Sequence, residues 1–201
     1  MASLFRSEKA PGRGPTARRR PFQPLNALAT LGAATHNGFE RYAGVGVFLE
    51  PWIGRRATNV LWSVALPAGF VRALVGNDSD RPMLAFNAGI AIAGMGVHFA
   101  DWPWSLRWGF LPWLDQAEGL TDEQMPYYNA LLWAWLFGGV GSAALETRRR
   151  HLKYVLAGIA TAPLLLESAR HHFAWAKQQA RRDPEHWSAA LLADDAHSAS
   201  A

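Results

Sequence analysis

Residues 127–145 read YYNALLWAWLFGGVGSAAL, nineteen positions without a Lys, Arg, Asp, Glu or His. A helix of that length crosses the roughly 30 Å apolar core of a bilayer. After the basic turn Glu146-Thr-Arg-Arg-Arg-His151 comes a second apolar run, 152–166, so that the pair reads as a helical hairpin. A soluble protein can bury one such helix. This chain has several, and their number decides for a membrane bundle.

Upstream, 59–76 (NVLWSVALPAGFVRALVG) is a first span, with Pro67 expected to kink it and Arg72 near its end able to snorkel. The second span, 83–100 (MLAFNAGIAIAGMGVHFA), is the most uniform and holds Asn87. Gly89, Ala93, Gly94 and Gly96 give it a small-residue face, and Gly138, Gly139 and Gly141 give another to 127–145. The fold expected is all-α: an integral membrane bundle of about four helices, plus a re-entrant or interfacial segment and an amphipathic Trp-rich loop. The segment 42–53 (YAGVGVFLEPWI) is too short to cross alone, carries Glu50 and is interrupted by Pro51. Counting 38–54 as a fifth crossing would bring Arg18–Arg20 and Arg148–Arg150 to one face, as a cytoplasmic bias of basic residues asks. The basic C-terminal stretch would then face outward, so the charges are divided on orientation. Three parts are expected: a basic disordered tail at 1–36, the transmembrane domain at 37–172, and a C-terminal tail at 173–201 that is first basic and then disordered.

Mean hydropathy is near zero because the polar tails dilute the apolar centre. The absence of cysteine excludes disulfides, thiolate metal sites and cysteine nucleophiles. The net charge of +4 comes from basic residues in the N-terminal tail, in turns beside apolar runs and after the last run. That is the distribution membrane flanks and anionic headgroups produce, and nucleic acid is not expected as a partner. No apolar core follows the Arg-rich start at signal-peptide distance. The location expected is an integral membrane, bacterial inner or organellar. Four of the ten tryptophans, Trp102, Trp104, Trp108 and Trp113, fall in the connection 101–126, which reads as lying in the headgroup region. Trp133 and Trp135, inside a span, point to opposite sides.

Two crossings separate the second and fourth spans, so they run in one direction and end at one face. His98 ends the former, and His171 and His172 end the latter. Asp101 and Glu167 stand one turn away on the same helical sides. A metal ligated by His98, Asp101, Glu167, His171 and His172 is therefore an expectation, as is a haem or chlorin held by His98 and His171. Against it stands the interfacial reading, in which such histidines meet headgroups or carbonyls. Glu167-x-x-x-His171-His172 also resembles the HxxxHH box of membrane desaturases and hydroxylases, with Glu for the first His. It covers six residues, and the family's further histidine boxes are missing from the sequence. Glu40, Arg41 and Glu50 are ionisable groups near membrane depth, and His36 and Glu40, four apart, are a weaker form of the same signal. A surface pairing of the Glu40–Arg55 kind would account for them equally well. Gly44 and Gly46 lack the strand-to-helix setting of a nucleotide loop.

No catalytic constellation is complete. The leading expectation is a non-catalytic accessory or assembly subunit of a larger membrane complex, respiratory or photosynthetic in type. Its partners would be membrane lipids and other membrane subunits, one of them docking a helix on the spare small-residue face. The alternative is a small metal- or haem-dependent membrane enzyme acting on a lipid or isoprenoid.

Overall fold

Helix α1 (Pro24–Tyr42) starts with a proline, whose missing N–H costs nothing at the head of a helix. The amides of Leu25 and Asn26 donate to the Glu146 carboxylate at 2.7 and 2.9 Å, so the cap comes from the far end of the chain. The structure is a computed structural model that describes residues 22–183, 185–189 and 191–192. Of the expected tails at 1–36 and 173–201, residues 1–21, 184, 190 and 193–201 lie outside those described, and in the C-terminal one Ala176, Ala180, Ser188 and Leu191 are buried. The part of the N-terminal tail that is described does not behave as one. From Pro24 it is helical, and Asn26, Ala29, Thr30 and His36 are buried.

Small residues explain that burial. Gly138 of α4 (Met125–Gly141) meets the backbone of Ala29. A Cβ on Gly32 would lie 2.7 Å from the Trp135 Cα. Two antiparallel helices approach this closely only where side chains are absent.

A loop with positive φ at Gly44, Gly46 and Leu49 leads to α2 (Glu50–Val75). Its non-helical position is Gly54 (φ 77), so the break falls there and not at Pro67. A capped turn at Asp78–Asp80 then opens α3 (Arg81–Asp101). After it, β1 (Trp104–Arg107) and β2 (Leu111–Leu114) pair antiparallel, Arg107 opposite Leu111. At the tip, Trp108 and Gly109 both take positive φ. Asn129 clamps this hairpin to α4 through the N–H (2.9 Å) and C=O (3.0 Å) of Leu114. The Trp-rich connection is thus a β-hairpin, and its tip residues Trp108 and Phe110 are 77% and 73% exposed.

A π-helical turn, Ser142–Glu146, extends α4, and a basic turn leads into α5 (Leu152–Ile159). The helix breaks at Ala160 and Thr161, just ahead of Pro163, and resumes as α6 (Ala162–Arg182). The runs 127–145 and 152–166 do not form a packed hairpin, because α3 lies between them. Gly89 of α3 meets the Val155 carbonyl and Gly158, while Gly139 meets Ala91 and Gly94 meets the Trp135 ring. The face on α4 and the Gly89–Gly94 part of the face on α3 are consumed inside the bundle, while Gly96 is exposed.

The ion pairs sort into two ends. Arg72–Asp80 and Arg148–Asp78 lie at the end where α1 begins and α4 finishes. Arg41–Glu50, Arg170–Asp101 and Lys177–Glu118 lie at the other. Glu50–Val75, Asp78–Asp101 and Arg149–Arg182 are long and apolar enough to cross a membrane. Only 11% of the apolar window of the first and of the third is buried.

Candidate functional site

A cavity of about 820 Å³ opens between α1, α2, α3 and α6. Phe48, Trp62, Leu66, Ile90, Val97 and Leu165 give it an apolar wall. His36, Glu40 and His98 also line it. The close approach at Gly32 and Gly138 turns the His36–Glu40 side of α1 inward, toward α3 and α4.

The polar group is tightly built. His36 Nε2 lies 3.5 Å from Glu40 Oε1, one helical turn along. Tyr128 of α4 donates its hydroxyl to the same oxygen at 2.8 Å. The His36 ring stacks on Trp135 at 5.3 Å and meets His98 edge-on at 4.9 Å between centroids. His98 Nδ1 is 2.5 Å from the Gly94 carbonyl. A carbonyl only accepts, so Nδ1 carries the proton and the lone pair of His98 sits on Nε2. One donor atom from each of His36, Glu40 and His98 lies within 4.8 Å of the others, and among the described residues no other trio of such side chains comes as close. Buried His36 Nδ1 has no hydrogen-bond partner.

The residues singled out in the sequence scatter around this group. His98 belongs to it. His172 lines the same cavity, as the shared direction of the two helices required, but its Nε2 lies 3.0 Å from the Val45 carbonyl. Asp101 holds Arg170 through two hydrogen bonds of 2.7 and 2.9 Å. Glu167 is exposed and 3.8 Å from the same guanidinium. His171 packs on Trp52 at 4.9 Å and does not line the cavity that His98 lines. Glu50, buried, pairs with Arg41, which is how the ionisable groups around 42–53 are accommodated. The spacing of His36 and Glu40 was a visible signal. Nothing local in the sequence marks Tyr128 as their partner, because the contact bridges 88 residues.

Two imidazoles, a carboxylate and a phenol at the end of an apolar cavity can move protons or hold a cation. Comparison with family models, curated proteins and solved structures gives no match.

Proposed function

We propose that this chain is a small integral membrane enzyme that draws the apolar part of an amphipathic, lipid-like molecule into the cavity and acts on its polar end at His36, Glu40 and His98. The observation that carries the reading is the cavity itself. Its volume falls in the range of about 300–1,000 Å³ typical of ligand sites, and its lining joins apolar side chains to the His36–Glu40–His98 cluster, with Asp101, Glu118, Arg170, Lys177 and Arg181 as further charged groups suited to a polar head. Trp62 and Leu66 of α2 form part of that wall, on a helix whose outer side chains Val60, Val64 and Val71 are exposed. A lipid-like molecule would enter sideways from the bilayer along this helix.

The crossings in this reading number five rather than four, with α1 as the added one. Exposed valines and leucines on α2, α5 and α6 would meet acyl chains, and the hairpin tip at Trp108 and Phe110 would sit among headgroups. The accessory-subunit expectation leaned on a spare small-residue face, and apart from exposed Gly96 these faces are filled from within.

The test is extraction in mild detergent followed by mass spectrometry of what stays bound. An amphipathic molecule should co-purify near one per chain, and Ala169→Trp, which fills the wall, should displace it. A chain with no bound amphiphile that gains none from added lipid extract would overturn the reading.

A further inference from the structure

We infer that His36, Glu40 and His98 bind a divalent transition-metal ion, of the zinc or ferrous-iron class, with at least one coordination position open to the cavity. This deepens the proposed function by naming the cofactor of that site, and it rests on the same cavity.

The donor set is of the right kind. Two imidazoles and one carboxylate, with no thiolate anywhere in the chain, suit zinc and ferrous iron and leave positions for substrate or water. Metal–ligand bonds of about 2.1 Å put donor atoms about 3.4 Å apart around a tetrahedral ion. His36 Nε2 and Glu40 Oε1 already stand 3.5 Å apart, and the whole trio spans no more than 4.8 Å. A side-chain adjustment of about an ångström closes the site.

The surroundings also match a metal centre. Ligating histidines give their second ring N–H to a carbonyl or carboxylate, which fixes the tautomer and aims the other nitrogen at the ion. His98 does this through Gly94, and Nε2 is the nitrogen left over. Tyr128 orients the Glu40 carboxylate in the same way. Charge points in the same direction. The ion pairs among the described residues give Glu40 His36 and no lysine or arginine, while Arg41, next in sequence, is committed to Glu50. A half-buried carboxylate with only neutral neighbours is costly, and a dication offsets the cost.

A haem held between His36 and His98 does not fit. The two rings touch at 4.9 Å between centroids, which leaves no gap for a porphyrin between them.

The measurement is metal content of the full chain in detergent after separate loading with zinc and, without oxygen, ferrous iron. Cobalt(II) serves as a coloured probe of the same site. About one ion per chain is expected, with cobalt bands typical of four- or five-coordination. His98→Gln, His36→Gln and Glu40→Gln should each remove most of it, and Tyr128→Phe should weaken binding roughly 10–100-fold. His172→Gln and Glu167→Gln should retain it. A melting curve like that of the parent chain separates loss of ligands from loss of fold. Metal below a tenth of an ion per chain under every loading condition, or full metal in the well-folded Glu40→Gln and His98→Gln chains, would overturn the inference. Amphiphile binding without metal would leave the proposed cavity standing and remove only the ion. Metal without any amphiphile would do the reverse.

Discussion

Two polar residues, buried Asn26 and half-buried Glu146, fasten the bundle. Asn26 donates to the Leu84 carbonyl at 2.6 Å and to Ser142 Oγ at 2.9 Å, and it accepts from Asn87 at 2.9 Å. One amide thereby ties α1 to α3 and to the π-turn that ends α4. Glu146 adds its two bonds to the head of α1, where the helix dipole favours a negative charge. Replacing Glu146 with Ala should cost about 1–2 kcal/mol, read as a lower midpoint in thermal melting followed by circular dichroism. Asn26→Leu should cost more, about 2–4 kcal/mol, because it loses its own bonds and leaves the Asn87 amide with Thr30 as its one remaining acceptor among the described residues. Equal, near-zero effects would mean that this end of α1 is not held as described. Asn87 stood out in the sequence as the polar residue inside an apolar run. Its partner Asn26 did not, because a lone asparagine in a mildly apolar stretch has no visible counterpart until the helices are placed.

At the scale of the elements, the glycines set how near the helices come. Gly89 lies against the Val155 carbonyl and Gly158, whereas a side chain at Gly96 would meet open space. The same substitution should therefore have opposite signs at the two sites. Gly89→Ala should destabilise by about 1–3 kcal/mol through overpacking, and Gly96→Ala should be neutral or stabilise by up to about 1 kcal/mol through helix propensity. Matching effects at both would contradict the α3–α5 packing. The sequence made the small-residue faces legible but not their use, since a glycine stripe fits a foreign helix as well as a neighbouring one. Helix α1 was illegible for a related reason. Its apolar stretch is short and carries His36, Glu40 and Arg41, so its helical state comes from packing on α4 and from a cap supplied by Glu146. The breaks followed local chemistry more closely. Pro163 marks the α5–α6 interruption, whereas α2 breaks at Gly54, with its positive φ, and runs helical through Pro67.

Taken whole, the molecule joins two features that a soluble fold would not tolerate together. Long helices keep their apolar side chains on the outside, and a charged or imidazole-bearing set is held within. The convergence of His98 and His172 on one cavity was legible from helix direction alone. The trio of His36, Glu40 and His98 was legible only in part, because the spacing of His36 and Glu40 was visible but His36 fell in the expected tail and nothing local set it against His98. The account stands on the chain crossing a bilayer, with its two ends on opposite sides. A chain without cysteine makes this directly measurable, since each introduced thiol is the only one. Single cysteines at Ser79 and Arg149 mark one end, and at Ser105 and Asp122 the other, all four exposed. In sealed vesicles an impermeant thiol reagent should label one pair and spare the other, with all four labelled once detergent is added and the chain retained through alkaline carbonate. Equal labelling of both pairs in sealed vesicles, or release of the chain by carbonate, would contradict it.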